Sequence, residues 1–272
     1  MSENLIELRH IGKRFGGVRA LDDVSFAIKP GEIHCLAGEN GSGKSTIIKV
    51  MSGVYTPEDG EILIDGKSVG KLDPVKSVHH GIQVIYQDLS LFDHMTIAEN
   101  IAITRIRQKE RKMIDWQEVY RIAKEQTDRI GVTLDLNTTV AETTIANRQI
   151  TAICRALAQE AKILIADEPT TALTKQEVSH LLDIVTELKN DGLGIVFISH
   201  KLEEVFEVAD RITVFRDGKK IGTFPKKELT KKKLAYYMTG REIEYPHYRR
   251  QTADDEALLD VRSISKKANY EE

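Results

Sequence analysis

Gly38-Glu39-Asn40-Gly41-Ser42-Gly43-Lys44-Ser45-Thr46 lies between Ile33-His34-Cys35-Leu36-Ala37 and Ile47-Ile48-Lys49-Val50-Met51. The nine residues satisfy the pattern GxxxxGK[ST], in which backbone N–H groups of a glycine-rich loop cradle phosphate oxygens. Lys44 is placed to reach the β and γ phosphates and the Ser45 hydroxyl to meet Mg²⁺. The pentad before the loop reads as a short buried strand. The run after it reads as a helix, whose N-terminal dipole favours an anion. A chance match to this pattern in a chain of ordinary glycine content is on the order of one per cent.

Working outward, the residues before the loop predict short strands over Leu5–Ile11 and Val24–Ile28, with Lys29-Pro30-Gly31-Glu32 as a turn. Further strands are expected at Glu61–Ile64 and Ile82–Tyr86. From about Ile97 to Leu157 the apolar spacing becomes helical, as in Trp116–Ile130. Strands at Ile163–Ala166, Gly194–Ile198 and Arg211–Phe215 then alternate with helices at Lys175–Lys189 and Leu202–Val208. A hairpin is expected at Asp217-Gly218 and a last, basic helix over Lys226–Thr239. This is an α/β order with a helical insertion.

A second acidic element follows the loop. Ile163-Leu164-Ile165-Ala166-Asp167-Glu168-Pro169-Thr170 is an apolar strand ending in two carboxylates. Downstream of a phosphate loop, that layout suits Asp167 as a Mg²⁺ holder and Glu168 as the base that polarises water.

Composition narrows the class. The 272 residues are 41% hydrophobic and 30% charged, with net charge −3. This is ordinary globular composition, and its weak acidity argues against nucleic acid as a partner. Cys35 and Cys154 sit in apolar stretches and read as reduced core residues of a cytosolic protein. No apolar run approaches the roughly 20 residues that span a bilayer, and Met1-Ser2-Glu3-Asn4 does not open a signal peptide. A role at a membrane therefore implies a membrane-embedded partner chain.

Leu258-Leu259-Asp260-Val261-Arg262-Ser263-Ile264-Ser265-Lys266-Lys267 echoes Leu5-Ile6-Glu7-Leu8-Arg9-His10-Ile11-Gly12-Lys13-Arg14, and 245–256 between them is polar and charged. The repeat suggests a tandem protein: one domain over 1–244, a linker over 245–256, and the start of a second copy at 257–272.

Taken in order, these motifs resemble the ATP-binding subunits of ABC transporters. The resemblance implies an α/β P-loop NTPase core of the ABC type, with an N-terminal antiparallel β subdomain and a helical subdomain at about 95–160. It implies ATP and Mg²⁺ as cofactors. Glycines 38, 41 and 43, together with Glu39, Asn40, Ser42, Lys44, Ser45 and Thr46, would bind nucleotide. Phe15, with Val18 near it, falls where the family stacks an aromatic on adenine. Gln87 corresponds to the glutamine that senses the γ-phosphate through Mg²⁺ and water. The metal set is then Ser45, Gln87 and Asp167, and the catalytic set Lys44, Gln87, Glu168 and His200, the last being the switch histidine.

Within the family the chain is similar to the tandem ATPases of monosaccharide importers. The stretches Phe15 to Leu21, Tyr86 to Phe92, Ile198 to Phe206 and Thr239 to Glu242 carry that likeness. The implied partners are a second nucleotide-binding domain, integral-membrane permease subunits and, indirectly, a periplasmic or extracellular solute-binding protein. The implied location is peripheral, on the cytoplasmic face of the membrane. Two elements depart. Thr174 replaces the usual aspartate of the D-loop stretch Thr171-Ala172-Leu173-Thr174. The signature, usually Leu-Ser-Gly-Gly-Gln, reads Thr143-Thr144-Ile145-Ala146-Asn147. A Cβ obstructs close approach of backbone to phosphate. The expected damage falls on the partner domain's site, which leaves an alternative reading as an ATP-gated interaction module with little hydrolysis.

Overall fold

The computed structural model describes residues 3–107 and 113–242. The expected linker at 245–256 and second copy at 257–272 lie outside the described residues.

Two long strands, β1 (Ile6–Phe15) and β2 (Val18–Ile28), form a hairpin that pairs through β1 with β4 (Asp59–Ile64), which pairs with β5 (Lys67–Ser68). This is the expected antiparallel subdomain. Both leading strands exceed the apolar stretches that mark them in the sequence. The extension carries polar, exposed residues such as Arg14 and Arg19, which pair across the hairpin and need no buried face.

The second sheet is built on β3 (Ile33–Ala37), β6 (Ile82–Ile85), β7 (Ile163–Asp167), β8 (Gly194–Ile198), β9 (Arg211–Arg216) and β10 (Lys219–Pro225), in the order β10-β9-β3-β8-β7-β6. All pairs except the β9–β10 hairpin are parallel. Parallel strands are buried on both faces, and these alternate between two cores. Leu164, Ala166, Ile195 and Phe197 face one cluster, and Ile163, Ile165, Val196 and Ile198 the other. The second cluster joins the sheet to α1 (Lys44–Met51) and the antiparallel subdomain. The first joins it to α3 (Ile97–Arg107), α4 (Trp116–Arg129), α5 (Ile145–Ala158) and α6 (Lys175–Asn190). Cys35 and Cys154 are free and buried there, and burial pushes the Cys154 thiol up to about 12.

The remaining helices are α2 (Pro74–His79), α7 (Leu202–Val208) and α8 (Lys231–Thr239). The basic helix predicted from Lys226 begins only at Lys231. Lys226–Glu228 is a 3₁₀ turn, and Thr230 caps α8 by accepting from the Lys233 N–H at 3.2 Å. A threonine competing for backbone donors favours a cap over a helix interior. The Asp217-Gly218 hairpin forms as expected, with both residues at positive φ.

Candidate functional site

The loops that follow β3, β7 and β8 leave the carboxyl ends of neighbouring parallel strands, where the crevice of an open α/β sheet binds ligands. A cleft of about 140 Å³ opens there, lined by loop residues 40, 41 and 43–46 together with Ala20, Asp167, Glu168 and Ile198.

The phosphate loop is shaped by glycines with close neighbours. A Cβ on Gly38 would lie 2.5 Å from the Phe215 carbonyl oxygen and the Ser42 hydroxyl. Gly43 has φ 107 and forms the N-cap of α1 without a side-chain cap bond, so the first turn's N–H groups lie open to an anion. The helix thus starts three residues earlier than the apolar run alone indicates. Lys44 is buried and donates to the Gly38 and Glu39 carbonyls at 2.8 and 2.9 Å. Its pKa is lowered, chiefly by burial, with Glu168 and Asp167 acting against the shift.

Asp167 closes β7 and pairs in register with Ile198. Its pKa is raised, first by burial and then by the neighbouring Glu168 carboxylate, against the pull of Lys44 and Lys49. Glu168 turns into left-handed backbone at φ 51, and its N–H is held by the Ile198 carbonyl at 3.0 Å. Its carboxylate lies 3.3 Å from Nδ1 of His200, which is more than half exposed. Strained backbone held by a neighbouring strand is a mark of functional loops.

The oxygen-rich set of Ser45, Asp167 and Glu168 in one cleft suits a hard cation such as Mg²⁺. The mutual repulsion that raises Asp167 also calls for positive charge beside it. Among the described residues no group of three or more His, Cys, Asp or Glu side chains forms a metal cage.

Not every predicted site residue converges on the cleft. Gln87 follows β6 and is exposed, and it is not among the lining residues. The segment after it is nevertheless fixed. The Arg155 guanidinium donates to the Leu89 and Ser90 carbonyls at 2.8 Å each, and the buried Asn100 side chain brackets the Phe92 backbone. Phe15 and Val18 lie on the antiparallel hairpin and are exposed. Phe15 stands edge-on to Tyr55, with ring centroids 5.0 Å apart, and Lys13 Nζ approaches its face.

The Thr174 departure has a local explanation, whereas nothing in the structure explains Ile145 and Ala146 in place of glycines. Thr174 caps α6 in a complete capping box with Glu177, a role that threonine and aspartate both perform. Thr144 caps α5 by accepting from Asn147 N–H at 3.2 Å, and Thr144 and Ile145 are exposed.

The sequence reading passes over Glu204, whose buried carboxylate links the loops carrying Glu168 and His200, and over Arg155. A glutamate one turn beyond Ser199-His200 and an arginine within an apolar helix face were the available signals.

The phosphate loop, the paired carboxylates and the histidine beside Glu168, on this topology, define an ATP-binding cassette. The family model described as ABC transporter matches residues 21–171, and the chain belongs to that family.

Its curated relatives include the putative ribose/galactose/methyl galactoside import ATP-binding protein 1 of Burkholderia cenocepacia (strain HI2424), 42% identical over 264 residues. That alignment covers 97% of this chain and 50% of the relative. Another is the ribose import ATP-binding protein RbsA 1 of Rubrobacter xylanophilus (strain DSM 9941 / JCM 11954 / NBRC 16129 / PRD-1), 44% identical over 263 residues, covering 97% and 52%. The chain spans about half the length of the curated relatives it matches. Among solved structures, the dimeric bacterial ABC transporter cassette MJ0796 superposes with a TM-score of 0.71 at 26% identity, covering 81% of this chain and 98% of that one. The ADP conformation of the cassette MJ1267 shares the fold with a TM-score of 0.75 at 24% identity, covering 86% and 94%.

Proposed function

We propose that this chain binds and hydrolyses ATP to energise a membrane importer of a sugar or sugar-like solute. The convergence of the phosphate loop, Asp167 and Glu168 on one cleft, with His200 3.3 Å from the Glu168 carboxylate, carries the reading. The names of the relatives support the choice of solute class.

In this reading the reaction is in-line attack of water on the γ-phosphoryl group. The transition state is loose, so catalysis is positioning and charge stabilisation. The open N–H groups of the loop and the Lys44 ammonium hold the polyphosphate. Lys44 exchanges its bonds to the Gly38 and Glu39 carbonyls for phosphate oxygens. The Glu168 carboxylate accepts a hydrogen bond from the attacking water, and His200 beside it contacts the γ-phosphate and registers its loss. Ser45 and Asp167, with Gln87 as a further ligand, would hold Mg²⁺, which would neutralise phosphate charge. Phe15 and Val18 would flank adenine.

The domain pairs with a second nucleotide-binding domain, in the same full-length chain or in another copy. The repeat at 258–267 and the length of the relatives support a tandem arrangement. The exposed Thr144–Ile145 segment would face the partner's ATP. With its altered glycines, the competent site is the one built on Lys44, Asp167, Glu168 and His200. Useful work comes from the different affinities of ATP and ADP for the closed pair. Among the described residues no helix is long and apolar enough to cross a membrane. Permease subunits would supply the membrane path, with this chain on their cytoplasmic face and a solute-binding protein acting on the other side. Mg²⁺-dependent ATP hydrolysis by the full-length protein, lost in Glu168→Gln with ATP binding retained, tests the proposal.

A further inference from the structure

Glu204, on the first turn of α7, is only 5% exposed. One of its carboxylate oxygens, Oε2, accepts from the Thr170 hydroxyl at 2.6 Å and from the Ser199 hydroxyl at 2.7 Å. Its other oxygen lies 3.0 Å from Lys201 Nζ. Lys201 ties the cluster further: its N–H donates to the Ser199 hydroxyl at 3.0 Å and its Nζ to the Thr170 carbonyl at 3.4 Å. Thr170 lies two residues after Glu168, and Ser199 immediately precedes His200. A single buried oxygen therefore fastens the loop that carries the water-polarising carboxylate to the loop that carries the histidine.

Stability alone does not account for this arrangement. Taking a carboxylate out of water costs several kcal/mol, and well-packed apolar groups often serve a core as well or better. What the cluster supplies is geometry. Paired hydroxyl donors on one oxygen have short, directional bonds, so a shift of either loop is opposed by the other. The clamp bears on the 3.3 Å separation of Glu168 and His200, because Thr170 and Ser199 lie in the loops that carry those two residues.

We infer that Glu204 is a positioning residue that holds the Glu168 and His200 loops in catalytic register through Thr170 and Ser199. The inference rests on the ATPase reading given above. The partners of the Glu204 carboxylate are Thr170, Ser199 and Lys201, and none of them lies in the phosphate loop. Removal of Glu204 is therefore expected to slow turnover while leaving ATP binding in place.

The test uses the full-length protein with four variants: Glu204→Ala, Glu204→Gln, His200→Ala, and Glu204→Ala combined with His200→Ala. Glu204→Ala should lower kcat by about 10- to 100-fold, the scale of a misplaced reacting group. KM for ATP should stay within about twofold, as expected when only transition-state geometry is lost. Glu204→Gln keeps an oxygen that can accept from both hydroxyls and should recover most of the rate. The double variant should be no slower than His200→Ala, because both changes remove the same contribution. An unchanged kcat in Glu204→Ala, or losses that multiply in the double variant, would overturn the inference. Thr170→Val and Ser199→Ala each cut one arm and answer the same question if Glu204→Ala does not fold. A lowered kcat at unchanged KM in either supports the clamp, and wild-type rates in both overturn it. Hydrolysis that depends on Glu168 but not on Glu204 refutes the clamp alone. Hydrolysis that survives Glu168→Gln refutes the ATPase reading itself.

Discussion

Gly43→Ala probes the phosphate loop where it runs into α1. Gly43 sits at φ 107, and an added Cβ would lie 2.9 Å from the Ala20 carbonyl oxygen and 3.0 Å from Leu21 Cδ2. Ala20 is backbone of β2, and the adjoining turn is pinned by the Asp22 N–H donating to the Gly218 carbonyl and the Gly218 N–H to the Ser42 carbonyl. The obstruction therefore cannot be relieved by turning a side chain. The left-handed backbone costs an alanine about 1–2 kcal/mol. Forcing a methyl against fixed neighbours adds about 1–3 kcal/mol. The total of about 2–5 kcal/mol must be lost from folding stability, from ATP affinity, or from both. Taken wholly from binding, it is a loss of roughly 30- to 4,000-fold at 1.4 kcal/mol per decade. Calorimetric titration with ATP and a thermal melt of the same sample read both channels. Gly131→Ala is the control, because Gly131 also has positive φ (66) but no atom within 4 Å of an added Cβ, so only the backbone cost applies. Unchanged melting and unchanged ATP affinity in Gly43→Ala would refute the view that this loop is held open by the absence of a side chain.

Three further outcomes follow from particular contacts. Folding raises the pKa of Asp167, so its ionisation works against the folded state. The penalty is absent below the ordinary value near 3.8 and complete once pH has risen through the folded value. Asp167→Asn should therefore raise the melting temperature of the nucleotide-free protein at neutral pH, with the gain shrinking as pH falls toward 3.8, while ATP turnover is lost. Thr174→Ala removes the capping box of α6 and should cost about 1 kcal/mol; in a domain of this size that lowers the melting point by about 2–4 °C. Thr174→Asp, which can still cap, should restore it. Arg155→Met should speed amide exchange across residues 88–92, measured by mass spectrometry, without the same change in α6, because the Leu89 and Ser90 carbonyls lose their donors.

The parts of the site legible in the sequence are those where chemistry dictates residue type at fixed spacing. The loop from Gly38 to Thr46 announces itself, because phosphate cradling needs small residues, and the strand ending in Asp167-Glu168 gains its meaning from lying downstream of that loop. The central strands were equally plain, since burial on both faces leaves continuous apolar runs such as Ile163-Leu164-Ile165-Ala166. Element ends were less so. The β1–β2 hairpin extends through Arg14 and Arg19 because cross-strand pairing suffices there without burial. The last helix starts late because Thr230 prefers to cap. Glu204 stayed hidden for a different reason. Its role depends on Thr170 and Ser199, which lie apart in the chain and meet only when β7 and β8 pair. Gln87 shows the converse: a spacing and a resemblance assign it to the site, while its backbone places it outside the cleft lining.

ATP turnover by the full-length protein with Mg²⁺, wild type beside Glu168→Gln, tests the central claim most directly. Hydrolysis is expected in the wild type and lost in the variant, with ATP binding retained because Lys44 and the loop are untouched. Near wild-type hydrolysis by Glu168→Gln would contradict the claim.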